Sequence, residues 1–324
     1  MAVFLFRRLL QTIGVLLAVS LVVFFGLYAI GNPAEILLPD DATAAERANA
    51  IRNLGLDRPI WVQYWVFLTN ALSGDLGKSF VYNVPSITLI WQRFPATLEL
   101  AIAALLIAVV LGVPLGLYAG LRPNSRADRM IVTGSILGFS LPNFWQGLML
   151  ILLFSITLSW LPSSGRGPQG ELFGISTSFA SWEGIKHLIL PATNLALFKL
   201  ALVIRLTRAQ VRETMPLDFV KFARARGLSD SRIVGVHVGK TVAAPIITVI
   251  GMELGSVIAF AVVTESIFAW PGMGKLIIDS INKLDRPVVA AYLLVITFLF
   301  IVINLLVDLA YTLLDPRVRL GGRQ

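Results

Sequence analysis

The stretch from Asp218 to Thr241 carries the densest chemical possibilities in the chain. Gly235-Val236-His237-Val238-Gly239-Lys240-Thr241 has the glycines, lysine and threonine of a phosphate-cradling loop. Such a loop needs four residues between its glycines. Three stand here, and the run leads into an apolar span instead of following a buried strand. The chain is therefore expected to bind no nucleotide. The sequence has no cysteine, which removes thiolate nucleophiles, disulfides and cysteine-bound metals. The two histidines, His187 and His237, form no H-E-x-x-H pair. Gly138-Phe139-Ser140 and Gly174-Ile175-Ser176 lack the following glycine that an intramembrane serine nucleophile would require. With no catalytic constellation and no metal site, the expectation is a non-enzyme.

What remains in this stretch is basic and helical. Asp218-Phe219-Val220-Lys221-Phe222-Ala223-Arg224-Ala225-Arg226-Gly227-Leu228 reads as a short helix, stopped at Gly227, with Ser229 suited to cap the next. Two readings fit it. A helix held between two spans can transmit the push of a partner to both. A solvated basic loop would look the same. Two charges lie inside apolar runs, where each costs roughly 2.5–3.5 kcal/mol on insertion scales. Lys199 lies about 9 Å and Glu253 about 17 Å from the same end of their spans, at 1.5 Å per residue. That is near enough for a lysine side chain to reach the carboxylate. Either Glu253 faces a pore and meets a cationic substrate group, or the two form a structural pair, or the lysine snorkels toward the inner face. Pro142 and Asn143 break a third apolar run, as a plain kink or as pore lining.

These residues need membrane spans to position them. The chain is 324 residues long, 56% hydrophobic and only 14% charged, against about 25% in a soluble domain. Runs at 9–30, 98–120, 130–158, 188–205, 242–263 and 289–313 can each cross a bilayer. The expected fold class is an all-α, polytopic membrane protein of about six transmembrane helices. Arg7 and Arg8 precede a first run of 22 residues, longer than the roughly 7–15 of a signal peptide, so it is read as a retained span. Of the 27 Lys and Arg, 16 lie in segments 1–8, 121–129, 205–240 and 314–324, and 10 lie in the longer alternate segments. That bias places both termini in the cytoplasm. Between the first two spans, Asp40 or Asp41 is expected to cap a helix through Arg52, with Gly55 at its exit. Pro59 is expected to open a second helix whose Trp61, Tyr64, Trp65 and Phe67 suit the headgroup region. Trp270-Pro271-Gly272 is expected to turn on the surface, and Glu99 and Glu265 to anchor span ends at the interface.

The basic segment resembles the coupling loop of type I ABC importer permeases. The general pattern there is EAA, three residues, glycine, nine residues and I-x-L-P. This chain has Lys221-Phe222-Ala223, Gly227 and His237-Val238-Gly239-Lys240 at those positions, so only Ala223 and Gly227 match. The peptide/nickel branch of the family reads Y-V-R-T-A-R-A-K-G-L with histidine ten residues after the glycine, and Phe219 to Leu228 with His237 are similar to that. Leu54-Gly55-Leu56-Asp57-Arg58-Pro59, Gly74-Asp75-Leu76-Gly77, Pro95-Ala96-Thr97-Leu98-Glu99-Leu100, Leu141-Pro142-Asn143-Phe144-Trp145 and Phe268-Ala269-Trp270-Pro271-Gly272-Met273-Gly274 resemble blocks of the same branch in the same order.

The resemblance implies the B-type permease subunit of a dipeptide or oligopeptide importer in the bacterial inner membrane. It implies a second homologous permease, two ATPase subunits that hold ATP and magnesium, and an extracytoplasmic substrate-binding protein. Nucleic acid is not an expected partner, and this chain itself is expected to hold no cofactor. Ala223 and Gly227 would be docking positions, Phe222 and Leu228 contacts, and Arg224 and Arg226 partners for acidic groups. The implied division is a first helix at 1–30, an extracytoplasmic segment at 31–95, a transmembrane domain at 96–313 with its coupling loop at 206–240, and a tail at 314–324. Relatives in the branch also carry nickel chelates, glutathione or oligosaccharides. A secondary transporter driven by an ion gradient is the other class to weigh. It would favour an inverted repeat, and none is evident between the halves.

Overall fold

Backbone polar groups in lipid must be satisfied within their own segment, so each apolar run closes into helix. The computed structural model describes residues 2–29, 43–53, 55–172 and 174–314. Asp40, Asp41 and the tail from 315 lie outside them. The helices are α1 (Ala2–Ala29), α2 (Ala44–Asn53), α3 (Ile60–Leu72), α4 (Ser86–Leu121), α5 (Arg126–Ser140) and α6 (Asn143–Leu150). After α6, which continues as a π-helical turn over Ile151–Thr157, come strands β1 (Gly170–Leu172) and β2 (Ile175–Thr177). They pair antiparallel, with Gly170 opposite Thr177. Then follow α7 (Trp182–Thr214), α8 (Asp218–Ala225), α9 (Gly239–Ile267), α10 (Met273–Asn282) and α11 (Arg286–Leu314). Five helices among the described residues are long and apolar enough to cross a membrane, and α5 with α6 makes a sixth if the bent pair is one span. The expected break at Pro142 is a bend of 103°.

The chain divides into two compact units, Met1–Pro95 with Gly272–Val302, and Ala96–Pro271 with Ile303–Gln324. Gly272–Val302 thus groups with the N-terminal residues. In the first unit, Asp285 explains that grouping. It is fully buried and accepts hydrogen bonds from Ser79 Oγ (2.5 Å) and the Phe80 amide (3.0 Å), binding the segment before α4 to the α10–α11 junction. Thr43 and Glu46 form a capping box at the start of α2: Glu46 N–H donates to Thr43 Oγ1 at 3.3 Å, and Thr43 N–H to Glu46 at 2.8 Å. That cap lies two to three residues beyond the one expected from Asp40 or Asp41. Pro59 is the N-cap of α3, so the helix starts at Ile60, one residue after the expected start. α3 is two-faced: Tyr64 and Phe67 pack edge-on or tilted against Phe24 of α1, while Trp61 and Trp65 are exposed. An exposed indole pair on one face suits a helix at the headgroup level.

In the second unit, α4 and α7 approach closely along Gly112, Gly116 and Gly120. A Cβ on Gly116 would lie 2.7 Å from the Ile204 carbonyl oxygen, and one on Gly120 would lie 2.7 Å from Val211 Cβ. Small residues every fourth position let helices pack backbone to backbone where lipid supplies no hydrophobic drive. At the α5–α6 break, Gln146 Nε2 donates to the carbonyls of Gly138 (2.6 Å) and Leu141 (2.7 Å). It thereby satisfies acceptors that the end of α5 leaves open. Asp128 takes a bidentate bond from Arg208 of α7, at 2.6 and 2.9 Å, which fixes the start of α5 to that helix.

Candidate functional site: the α8 segment and the polar groups within the spans

α8 begins after Leu217 and ends in a glycine stop. Gly227 has φ +76, its amide donates to the Arg224 carbonyl (2.9 Å), and the Leu228 amide donates to the Ala223 carbonyl (3.3 Å). This pair of bonds is the Schellman closure of a helix, which needs a left-handed residue at the glycine position. The helix then turns one face inward. Val220 and Ala223 are buried in a cluster with Val211 of α7, Ile233 and Val238 at the two ends of a second π-helical turn (Ile233–Val238) that leads into α9, and Val242 and Ile246 of α9. Val113, Leu117 and Leu121 of α4, and Leu228, pack against the same cluster. Three spans, α4, α7 and α9, thus meet on one eight-residue helix.

The opposite face is open. Phe222 is 62% exposed and Phe219 41%, and Lys221, Arg224, Ala225 and Arg226 are exposed as well. Arg226 lies over the Phe222 ring at 5.3 Å, and Arg224 is 3.7 Å from Asp230. Water screens that exposed ion pair, so it adds little to stability. Of the expected docking positions, Ala223 is 5% exposed and faces the core, where a small side chain seats the helix close to the spans. Leu228 likewise packs on the cluster, so Phe222 is the apolar contact left facing out. Gly235 to Thr241 is helical, over the π turn Ile233–Val238 and the start of α9, and offers no loop to wrap a phosphate.

Further along the spans, Lys199 and Glu253 meet. Lys199 Nζ lies 2.5 Å from Glu253 Oε2 and donates to Ser256 Oγ at 2.9 Å, while Ser256 Oγ also donates to Glu253 at 2.6 Å. The lysine does not snorkel. Its side chain is 7% exposed and that of Glu253 25%. At the break, Pro142 is exposed and Asn143 turns into a polar knot. Asn194 Nδ2 donates to Asn143 Oδ1 and, at 3.1 Å, to Thr264 Oγ1, and Asn143 Nδ2 reaches the same hydroxyl at 3.3 Å. The knot ties α6 to α7 and α9.

Sequence reasoning misplaced three groups. Trp270 is fully buried with its indole N–H on the Ala96 carbonyl at 2.8 Å, so it is no surface contact. Glu99 and Glu265 are buried too, not interfacial. Glu265 accepts from Thr97 (2.7 Å), and Glu99 from Arg166 Nε (2.9 Å) and the Ser178 amide (2.5 Å). Asn194, Thr264 and Arg166 went unremarked. The one available signal was an asparagine inside the apolar run of α7.

Long apolar helices, one of them broken, and a short helix with an exposed aromatic face seated on three of them are the frame of a multi-pass membrane protein. The chain belongs to the family of binding-protein-dependent transport system inner membrane components, whose model matches residues 112–320, with the N-terminal model of the same systems matching 1–101. It is 38% identical over 334 residues to the di/tripeptide transport system permease protein DppB of Pseudomonas aeruginosa, covering 98% of both chains. It is 36% identical over 326 residues to the dipeptide transport system permease protein DppB of Alkalihalophilus pseudofirmus, covering 97% of this chain and 98% of that one. Among solved structures, the inward-facing MetNI methionine ABC transporter has a chain that matches 71% of this one and 97% of its own length, with TM-score 0.57 and 14% identity. The fold is that of a type I ABC importer permease, and the protein is a multi-pass inner-membrane permease that works in a complex with other subunits.

Proposed function

We propose that this chain forms half of the pore of an ATP-driven, binding-protein-dependent importer of dipeptides or short oligopeptides. The observation that carries the proposal is α8, one helix on which α4, α7 and α9 converge and whose Phe222 faces away from them. A partner that grips Phe222 moves three spans together, and rigid-body motion of packed helices is an established way to switch a site between two states. In this reading the chain hydrolyses nothing. Two ATPase subunits hold ATP and magnesium, one gripping this helix and the other that of a second, homologous permease, and a binding protein delivers peptide on the far side. Both termini and α8 lie in the cytoplasm. The peptide cargo follows from the DppB relatives at 36% and 38% identity. The Lys199–Glu253 pair acts as a tie between α7 and α9: its charges cancel, and it offers a peptide amine no net anion. Pro142 and Asn143 act as the fixed corner of the broken span.

The test is uptake of a labelled dipeptide into proteoliposomes holding the purified complex. The proposal expects uptake that needs ATP and the binding protein and is indifferent to an uncoupler. Uptake that survives ATP removal and collapses with the uncoupler would make the chain a secondary transporter.

A further inference from the structure

The helical path into α9 runs unbroken from Asp230 to Ile267, but between Ile233 and Val238 it widens into a π turn. The Gly239 amide donates to the carbonyl of Val234, five residues back instead of four. Such a turn takes up one residue more than an α turn, and it recurs at functional sites. The other π turn, Ile151–Thr157, buries none of its residues. This one buries Ile233 and Val238.

Which residues it buries depends on the extra residue. Val238, Val242, Ile246 and Ile250 recur at every fourth position and lay one stripe of α9 on the cluster beneath α8. In a continuous α-helix the preceding member of that stripe would be Val234. Residues five apart stand about 140° apart around an α-helix, so Ile233 would face away from Val238. The π turn reverses this. Ile233 is fully buried in the cluster and its neighbour Val234 is half-buried. Both side chains are β-branched and they differ by one methylene, so either can fill the same place. A Cβ on Gly239 would stand 3.3 Å from the Val234 carbonyl oxygen. The bare glycine leaves its amide room to bond Val234 in the π turn and Gly235 in an α turn.

We propose that Ile233–Val238 is a register switch between α8 and α9. In one state the turn is π and Ile233 fills the cluster; in the other it is α and Val234 does. The exchange turns the segment from Ser229 to Ile233 by about 100° and moves it about 1.5 Å along the axis of α9. That re-aims α8 while the apolar stripe of α9 stays on the cluster. Packed helices switch by such discrete steps because a close-packed contact has few stable settings. The proposal rests on the reading that an ATPase subunit grips α8, and it gives α8 two fixed positions for that grip to choose between.

The experiment uses the purified transport complex with Ile233→Cys or Val234→Cys as the one thiol of this chain, which has no cysteine of its own. Maleimide labelling of each is timed with and without a non-hydrolysable ATP analogue and read by mass on this chain's peptide. The proposal expects the two rates to change in opposite directions, each by about tenfold. Rates that do not move, or that move in the same direction as shielding by a partner would make them, overturn it. Removal of the exposed Val236 supplies a second reading. It leaves Ile233 and Val238 four apart, which fixes an α turn without rotating α8. That variant is expected to fold, to keep its ATPase subunits and their ATP hydrolysis, and to lose dipeptide uptake by about tenfold or more. Full uptake, or a chain that no longer folds, would show that the extra residue is no switch. If uptake by the unaltered complex needs no ATP, the grip on α8 falls and the switch with it. If uptake needs ATP and the thiol rates do not exchange, the switch alone falls.

Discussion

Phe222 contributes little to this chain's own fold, and in the proposed function it is the anchor that an ATPase subunit grips. Its ring is largely in water, so Phe222→Ala should change the stability of the chain by no more than about 0.5 kcal/mol. Loss of a central aromatic anchor from an interface costs about 2 kcal/mol or more. Copurification of the ATPase subunits with the variant should therefore fall roughly 30-fold in apparent affinity while the permease remains folded. Gly227 acts differently. A Cβ there meets nothing within 4 Å, so Gly227→Ala makes no clash, but φ +76 strains any L-residue by about 1–2 kcal/mol. It should loosen the end of α8, leaving ATP hydrolysis in the complex intact while uptake per ATP drops. For the buried ion pair, Glu253→Gln strands the Lys199 ammonium. Removing one partner of a buried pair costs 3–5 kcal/mol, and the quarter exposure of Glu253 reduces that to about 1–3 kcal/mol. The double variant Lys199→Met with Glu253→Gln should recover much of the loss in thermal unfolding in detergent. Unchanged dipeptide selectivity in the double variant is expected; a changed selectivity would give Glu253 a place on the substrate path.

At the scale of elements, the glycine ladder of α4 makes the sharpest prediction. Gly116→Ala drives a methyl to 2.7 Å from the Ile204 carbonyl oxygen, and a backbone atom cannot rotate aside. Overpacking of this kind costs about 1–3 kcal/mol. Gly134 of α5 has nothing within 4 Å of its Cβ position, so Gly134→Ala should be neutral or stabilise by up to about 1 kcal/mol, the difference in helix propensity. Melting temperatures of the two variants in one detergent check the pair. If Gly116→Ala melts with the wild type, the close α4–α7 packing is not what holds the second unit. Spans are legible in sequence because lipid demands some twenty apolar residues in a row. The break at Pro142 is legible because proline lacks the amide proton. The meeting of Lys199 with Glu253 follows from depth alone. Contacts between distant segments leave no such trace: Thr97 and Glu265 are 168 residues apart, and Glu99 and Arg166 are 67 apart. Both glutamates therefore read as interfacial until their partners were seen. The face of a helix is equally hard to read when it is only eight residues long. Ala223 sits in the motif that marks docking, yet its methyl points at Val211 and Ile233.

For the whole molecule, the division of labour follows from what the chain has and what it lacks. Among the described residues, three pairs of opposite charge are largely buried, Asp128–Arg208, Glu99–Arg166 and Lys199–Glu253, and the first and last of them join two helices. Such ties hold spans as bodies that move together, which the proposed ATPase-driven mechanism requires. In the proposed function the ATPase partner holds the exposed face of α8. Because the sequence has no cysteine, a single Ala225→Cys substitution, which leaves Phe222 in place, puts one unique thiol of this chain on the exposed face of α8. The decisive measurement is crosslinking from this thiol in intact cells and in the purified complex. The account predicts adducts with an ATPase subunit, whose yield changes when ATP binds, and protection from a membrane-impermeant thiol reagent added outside. Adducts with an extracytoplasmic protein, or labelling from the outside, would contradict it.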